Sequence, residues 1–360
     1  MKVLYIGESW LGSSARSLRD ALAEQPGVEL DEIGEDHYFP KHRTLPARGL
    51  NRLLRPLHRL ELEREVSAKL AAQKAAVLMV YKGSGVSANV IERARRAGVF
   101  TVNVLPDCSP HAFGPVLRTA IGQYDLVVST KPYHPDNWRS IYGYRNRCVF
   151  VPHGYDPRVH LWSEPPDPAT MDCDVVMAAT WRLEYHRLLV ALSELLSSTH
   201  VRICVAGNGW HQRSSAFPTH WRFQGSISGR GYGAFLRRGK IAVAPVTREV
   251  MTGGRRQPGD EDSTRTYELA ASHCFFVHRR TPYAQSVYDD RTEVPMWDDA
   301  NELATLIFRY LPEDSERGQM ARRAHQRAVP AYSIPTRARE ILRHVTEAAL
   351  GDSNCVERGE

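Results

Sequence analysis

The sequence predicts an α/β protein built from two doubly wound parallel sheets. Short apolar runs alternate with amphipathic helices from the first residues onward. The same pattern restarts after a Pro-rich segment at 164–168, and the 360 residues suffice for two domains of ordinary size. Apolar runs between helices are typical of parallel strands that helices cover on both faces.

Composition narrows the class of protein. A net charge of +6 and a pI of about 9.0 favour an anionic ligand but give no strong nucleic-acid signature. No signal peptide or membrane-spanning run is visible, so we expect a cytoplasmic protein. The cysteines lack metal-binding spacing and predict buried free thiols rather than disulfides or zinc ligands. They are Cys108, Cys148, Cys173, Cys204, Cys274 and Cys355.

The first half predicts a Rossmann-like domain. Its strands are expected at 3–7, 28–33, 76–81, 100–104, 126–128 and 149–151, with helices near 15–24 and 88–97. The loop after the first strand carries Gly7, Ser9, Gly12 and Ser13. Glycines let a ligand approach the backbone closely, although a tight turn explains them equally well.

Asp107 and His111 follow the strand at 100–104, at the predicted carboxyl edge of the first sheet. Ligands of α/β folds bind at that edge. An aspartate and a histidine there can bind a sugar or transfer a proton. An ordinary surface loop is the alternative.

Residues 41–64 form a basic, leucine-rich segment that Pro46 and Pro56 interrupt. Contact with an anionic membrane surface or an anionic acceptor is one interpretation. We favour the other, a solvated helix that packs by its leucines. The basic residues are Lys41, Arg43, Arg48, Arg52, Arg55, Arg59 and Arg64, and the leucines are Leu50, Leu53, Leu54, Leu57 and Leu60.

The second half repeats the alternation. Strands are expected at 173–179, 202–206, 240–245, 274–277 and 294–297, and helices at 188–196, 232–238, 300–311 and 314–328. The polar, Gly-rich segment 251–262 predicts a mobile loop.

A charged motif opens the helix that precedes the strand at 274–277. Ser263 suits the N-cap, because its hydroxyl can accept a backbone N–H of the first turn. Arg265 and Glu268 then lie near the helix start, beside the predicted sheet. The alternative is a glutamate that the helix dipole favours and that pairs with Arg265.

Further candidates lie at other carboxyl ends of the second half. Arg182 and Arg187 follow the strand at 173–179, and the turn Gly207, Asn208, Gly209 follows that at 202–206. Guanidinium groups suit diphosphate oxygens. A carboxylate can accept hydrogen bonds from two vicinal ribose hydroxyls. These residues predict a site for a nucleoside diphosphate derivative, in a cleft between two Rossmann-like halves.

Four segments, in chain order, resemble one known family. They are 3–7, 152–157, 207–210 and 265–271, and the last reads R-T-Y-E-L-A-A. Together they are similar to the spore-maturation-protein-like (CgeB-type) glycosyltransferases of the GT-B fold. The family's relatives carry a paired-acid E-x7-E motif, where this chain has Asp260 and Glu268.

The resemblance implies an enzyme that moves a sugar from a nucleotide-sugar donor to an acceptor, with retention of anomeric configuration and without a metal ion or cofactor. It implies two Rossmann-like domains that face a central cleft. Residues 1–155 form the acceptor-side domain, 156–170 the linker, and 171–335 the nucleotide-sugar-binding domain. Residues 336–350 form a helix that crosses back to the first domain, and 351–360 a frayed tail.

Roles for single residues follow from the site chemistry and this resemblance. The donor-binding set is Arg182, Arg187, Gly207, Asn208, Gly209, Arg265 and Glu268; the acceptor-side set is Gly7, Ser9, Gly12 and Ser13; the catalytic candidates are Asp107, His111 and Asp260. We assign no metal ligands, since the acids at 260–262 are expected in a solvated loop.

Two other functions stay open. A non-catalytic sugar-nucleotide-binding or scaffold protein would bind donor without turnover. An epimerase of the same fold would act on the donor alone; a phosphorylase ranks lower, because no motif for a pyridoxal-phosphate lysine is evident. The sequence fixes neither the donor nucleotide and sugar nor the acceptor, which can be a polysaccharide, a natural product or a modified nucleic acid.

Overall fold

The computed structural model describes residues 1–39, 45–252 and 254–356. The chain divides into two compact units. The first unit comprises Met1–Pro152, Glu249–Pro258 and the residues from Ile334 onward, and the second comprises His153–Arg248 and Gly259–Ser333.

Each unit contains a parallel six-stranded sheet. The strands are β1 (Lys2–Gly7), β2 (Glu29–Gly34), β3 (Val77–Tyr81), β4 (Phe100–Leu105), β5 (Leu126–Ser129), β6 (Arg147–Phe150), β7 (Cys173–Ala178), β8 (Ile203–Ala206), β9 (Arg222–Gln224), β10 (Gly239–Ala244), β11 (Glu249–Thr252), β12 (Arg255–Pro258), β13 (Phe276–Arg279) and β14 (Met296–Trp297). The first sheet has the order β2-β1-β3-β4-β5-β6 and the second β14-β13-β10-β7-β8-β9.

Helices connect most of these strands. They are α1 (Ser14–Ala23), α2 (Glu35–Tyr38), α3 (Leu45–Gln73), α4 (Ala88–Arg96), α5 (Pro115–Ala120), α6 (His134–Tyr142), α7 (Pro157–His160), α8 (Leu183–Leu195), α9 (Arg230–Leu236), α10 (Thr264–Ala271), α11 (Pro282–Val287), α12 (Ala300–Tyr310), α13 (Asp314–Ala328) and α14 (Ile334–Val356). The predicted class, α/β with two parallel sheets, is confirmed.

The first sheet is buried on both faces. Leu4 and Ile6 of β1 join one hydrophobic core, whereas Val3 and Tyr5 join the other. This division follows from the pleat, which sends successive side chains to opposite faces. The second core also contains the apolar stripe of α14, which the chain supplies from its far end: Ala338, Ile341, Val345 and Ala348.

The second sheet follows the same rule. Val175 and Met177 of β7 lie in one core, and Val176 and Ala178 lie in the other. Helix α10 belongs to the latter core and lies between β10 and β13 in the sequence. The crossover therefore brings the start of α10 to the carboxyl edge of the sheet.

Two predicted elements differ in the structure. The segment expected as a mobile loop, 251–262, contains most of an antiparallel hairpin in which Val250 pairs with Gln257. This hairpin lacks the alternation of apolar and polar residues that marks a strand, because polar and charged residues occupy most of its positions. The last helix runs to Val356, six residues beyond the predicted boundary at 350, and 357–360 lie outside the described residues.

The expectation of free thiols is wrong for two cysteines. Cys173 and Cys204 form a disulfide, with Cα atoms 6.2 Å apart. They lie on the adjacent strands β7 and β8, and that Cα separation lies within the range that a disulfide spans. Spacing along the chain gave no hint, since 31 residues separate them. Cys108, Cys148 and Cys274 are free. None of the described helices meets the length and hydropathy that a bilayer span requires.

The basic, leucine-rich segment forms part of one helix, α3. Pro46 is its second residue, where a missing N–H is tolerated, and Pro56 lies inside it. The favoured interpretation, packing by the leucines, is wrong for most of them. Leu50, Leu53, Leu57 and Leu60 are 59%, 79%, 57% and 50% exposed. Instead, Leu62 and Val66 make the buried contacts. Lys41 and Arg43 lie outside the described residues.

Candidate functional site

Glu268 lies at the carboxyl edge of the second sheet, on α10, and is only 8% exposed. Its Oε2 accepts a hydrogen bond of 2.8 Å from the Tyr232 hydroxyl. Its Oε1 lies 3.5 Å from Nε2 of His160, whose ring meets the Tyr232 ring edge to face. A carboxylate has about four acceptor positions, so these contacts leave capacity for a ligand.

Arg265 precedes Glu268 by one helical turn and is half-buried. Its Nη2 donates to the backbone oxygen of Pro245 at 3.4 Å. Burial opposes the charge, but surrounding oxygens outweigh it and raise the pKa of Arg265. Those oxygens belong to Tyr185, Tyr232, Glu268 and Asp260. The guanidinium is therefore a fixed cation.

Buried hydrogen bonds fix the start of α10. Ser263 is the N-cap residue, and its backbone N–H donates to Thr266 Oγ1 at 3.0 Å. Thr266 Oγ1 lies 2.8 Å from Nε2 of His278, and His278 Nδ1 lies 2.6 Å from the oxygen of Arg279. Burial, helped by Arg265, lowers the pKa of His278 to about 3, so the ring is neutral. A neutral ring that donates a hydrogen bond from Nδ1 can accept a hydrogen bond from the Thr266 hydroxyl at Nε2.

The glycine turn after β8 packs against the end of β7. A Cβ at Gly207 would lie 2.0 Å from the oxygen of Ala179, and φ there is +146°. The Trp181 N–H donates to the Asn208 oxygen at 2.8 Å, and Trp210 Nε1 donates to Ala179 at 2.7 Å. Gly207, Asn208 and Gly209 are predicted to bind the donor, and the structure shows that they pack against the 179–181 turn.

Arg182 and Arg187 are exposed near the start of α8, and Arg182 is its N-cap residue. Neither side chain forms a hydrogen bond or ion pair within the described parts of the chain. The positive charge of Arg182 acts on buried Tyr185, as does that of Arg265. Arg182 and Arg265 thus both lie near Tyr185, although α8 and α10 pack on opposite faces of the sheet.

The acidic run before α10 is not the solvated loop expected. Asp262 is fully buried, and its Oδ2 accepts from the Tyr267 hydroxyl at 2.7 Å. Glu261 caps α11, because its Oε2 accepts from the Tyr283 N–H. Asp260 is half-buried; its backbone N–H donates to Thr247, and its charge acts on Arg265. The run therefore anchors α10 and α11. Among the described residues, no group of three or more potential metal ligands occurs.

In the first unit, the loop after β1 divides into two parts. Ser9 is bonded to Asp36 of α2 through both its backbone N–H and its hydroxyl, at 2.6 and 2.9 Å. Its hydroxyl also lies 3.3 Å from Nε2 of His37. Ser13, by contrast, is buried and caps α1, accepting from the Ala15 N–H. Gly7 is buried and Gly12 adopts a φ of +92°.

Asp107 and His111 flank the short turn after β4, and both are half-buried. After burial, Asp107 is the main cause that raises the pKa of Tyr81. The His111 ring contacts Tyr142 edge to face at 5.8 Å. Burial, together with Arg118, lowers the pKa of His111, which favours a neutral ring.

Sequence reasoning missed several residues of these two edges. His160, Tyr232 and Tyr185 surround the α10 pair, and Asp36 and His37 hold Ser9. His160 lies on the short α7, just after the 152–157 segment, which was a usable signal. Tyr232 offered none, because its contact depends on how α9 packs against α7 and α10.

Comparisons with known proteins agree with this architecture. Residues 184–343 match a family model described as glycosyl transferase-like. No curated protein matches the chain in sequence. Two of the similar solved structures are sucrose-phosphate synthase from Thermosynechococcus elongatus and HepE from Anabaena in complex with UDP-glucose. The first aligns at a TM-score of 0.67 and the second at 0.65, each with 13% identity. The alignments cover 97% and 96% of this chain, and 100% of both others.

A putative UDP-N-acetylglucosamine 2-epimerase from Listeria monocytogenes is also similar, at a TM-score of 0.57 and 12% identity. That alignment covers 95% of this chain and 94% of the epimerase. At such identities the likeness concerns the fold alone. With two parallel six-stranded sheets that match these structures, the chain has the GT-B fold, and its residues 184–343 match the glycosyl transferase-like family model.

Proposed function

We propose that this protein is a glycosyltransferase that takes a sugar from a nucleoside diphosphate donor. The observation that carries the proposal is the buried Glu268 beside the half-buried Arg265 on α10. Glu268 is nearly inaccessible, yet it lies where α/β folds bind ligands, beside a fixed cation, Arg265. A buried carboxylate is costly unless partners compensate it. Two vicinal ribose hydroxyls are suitable partners for its remaining acceptor positions.

The leaving group is the second part of the proposal. When the glycosidic bond breaks, negative charge grows on the nucleoside diphosphate. Arg182 and Arg187 have guanidinium groups that pair with no acid among the described residues, and they lie near the N-terminus of α8, which itself favours anions. We propose that these arginines stabilise the departing diphosphate without a metal ion.

For the donor base, uridine is the first choice. HepE binds UDP and UDP-glucose in its solved complexes, and it shares the fold over nearly the whole chain. Retention of configuration is proposed from the family resemblance. Asp260 is the proposed acid on the donor side. Asp107 and His111 are the proposed polar groups on the acceptor side, where a neutral His111 can accept a proton.

Titration with nucleotides tests the donor site directly. We expect UDP to raise the melting temperature more than GDP, ADP, CDP or TDP, because only a ligand bound to the folded state stabilises it. The shift should persist when EDTA replaces magnesium. If no nucleotide shifts the melting temperature, the donor proposal is wrong; if the shift requires magnesium, only the metal-free part is wrong.

An epimerase is the second candidate, and the similarity to the Listeria epimerase favours it. NMR of the protein with UDP-sugars separates the alternatives. Epimerisation without acceptor supports the epimerase. Sugar transfer to an added acceptor supports the transferase, and the anomeric coupling of its product reports retention or inversion. Binding without either reaction supports a non-catalytic protein.

A further inference from the structure

Helix α3 presents an apolar stripe that nothing in the described chain covers. Leu50, Leu53, Leu57 and Leu60 are each at least half exposed. Their spacing of three, four and three residues places them on one side of a helix. A single exposed leucine is ordinary, but four in one stripe form a patch of the kind that marks an interaction surface.

The same turns of α3 are strongly basic. Between residues 50 and 60 the sequence contains Arg52, Arg55, Arg59 and His58 but no aspartate or glutamate. Arg52 and Arg55 are exposed, and neither pairs with an acid among the described residues. An exposed apolar stripe on one face of a helix, with cations on the opposite face that pair with no acid in the described chain, is the pattern of helices that lie in a membrane interface.

The remaining side of α3 attaches it to the first unit. Leu62 and Val66 are fully buried in the core beside β1, and Lys69 is bonded to Asp31 of β2 at 2.8 Å. These anchors belong to the second half of the helix. The leucine stripe belongs to the first half, so an occupant can cover it without disturbing the core.

We propose that the leucine stripe of α3 docks onto an anionic lipid bilayer. The leucines would enter the acyl boundary, and Arg52, Arg55 and Arg59 would contact the negative headgroups. Pairing with a second copy is disfavoured, because two such faces would bring like charges together. A bilayer supplies both the apolar phase and the opposite charge.

Co-sedimentation of the full chain with vesicles tests the proposal. We expect binding to vesicles of phosphatidylcholine mixed with phosphatidylglycerol, weak binding to pure phosphatidylcholine, and weakening by salt. Replacing both Arg52 and Arg55 with glutamine should lower partitioning about 25-fold, at about fivefold for each cation. The matched control is Arg139→Gln with Arg145→Gln, which removes the same charge from exposed positions elsewhere in the first unit.

The leucines need their own variant. Leu53→Ser with Leu57→Ser should lower partitioning more than tenfold, since each buried methylene contributes to insertion. Leu350→Ser is the control, because Leu350 is 62% exposed on a different helix. All four substituted side chains of the test variants are exposed, and an unchanged circular dichroism spectrum checks that the fold persists.

Three outcomes would overturn the proposal. One is that the unmodified protein does not co-sediment with the anionic vesicles. Another is that it binds them equally well after the leucine substitutions. The third is a concentration-dependent dimer in sedimentation velocity that Leu53→Ser with Leu57→Ser abolishes, which would assign the stripe to a second copy.

Discussion

The carboxyl edges of the two sheets are built differently. In the second unit, Thr266, Tyr267 and Glu268 are almost wholly buried, and each is bonded to a side chain from another segment or element. In the first unit, Ser9 and Asp36 are half-buried, and His37 is exposed. Buried, fully bonded groups are held in place before a ligand arrives, whereas accessible groups can adapt to it. From this comparison we expect the second edge to accept a single kind of ligand and the first edge to tolerate ligands of more varied shape.

The largest test of that rigidity is Gly207→Ala. The new Cβ would lie 2.0 Å from the Ala179 oxygen at a φ of +146°, so the 179–181 turn must move. We expect a loss of about 3 kcal/mol in the free energy of unfolding, measured by urea denaturation. Gly225→Ala is the control, since nothing lies within 4 Å of its Cβ. Equal stability of the two variants would show that the turn is not rigid.

Glu268→Ala addresses the proposed ligand. It removes the proposed acceptor of the ribose hydroxyls, so the Kd for UDP should rise by about 5- to 150-fold, corresponding to about 1–3 kcal/mol. Isothermal titration calorimetry gives the value. Glu194→Ala, on the exposed side of α8, should leave it unchanged. An unaltered Kd in a folded Glu268→Ala protein would remove the central claim.

Acidification tests both units through their buried histidines. Burial lowers the pKa of His134 in the first unit to about 4 and that of His278 in the second to about 3, from 6.5. An unfolded chain binds these protons more readily, so the stabilisation is complete above about pH 6.5 and decreases as pH falls. Below that pH, each histidine should lower the free energy of unfolding by about 1.4 kcal/mol per pH unit.

Urea denaturation between about pH 7 and about pH 5 measures this slope. In His134→Gln, the free energy of unfolding should depend less steeply on pH, by the contribution of one histidine. A free energy of unfolding that stays constant over this range would contradict the assignment of both rings as buried and neutral.

The smallest expected effect separates the two serines of the first loop. Ser13 caps α1, so Ser13→Ala should lower the free energy of unfolding by about 1 kcal/mol and leave turnover unchanged. Ser9→Ala should lower turnover and leave the free energy of unfolding nearly unchanged, since the partners of the Ser9 hydroxyl in the described chain are the half-buried Asp36 and the exposed His37. Thermal denaturation, and a transfer assay with an acceptor that the NMR experiment identifies, distinguish the two serines. Loss of turnover in Ser13→Ala would support the prediction that Ser13 is an acceptor-side residue.

Periodicity explains why the fold was predictable. The buried strands β1, β3, β7 and β10 each contain a continuous apolar run of at least four residues, and a run of that kind between helices has few alternatives. The motif on α10 was visible because cap, charge and small residues follow one another along a single helix.

The contacts that the sequence did not predict share a physical cause. Tyr232 and His160 reach Glu268 from α9 and α7, and Cys173 meets Cys204 only because β7 pairs with β8. Such contacts depend on packing and register, which local pattern does not specify. The hairpin at 249–258 was missed because its pairing comes from backbone hydrogen bonds between polar residues.

Helix α14 has a consequence for the order of events during synthesis. Its side chains Ala338, Ile341 and Val345 complete the hydrophobic core that begins with Val3 and Tyr5. Translation produces the first sheet long before it produces this helix. Helix α1 contributes to the same core, so only the part of this apolar face that α14 covers stays exposed until the whole second unit has been made. The nascent first unit should depend on chaperones until α14 arrives.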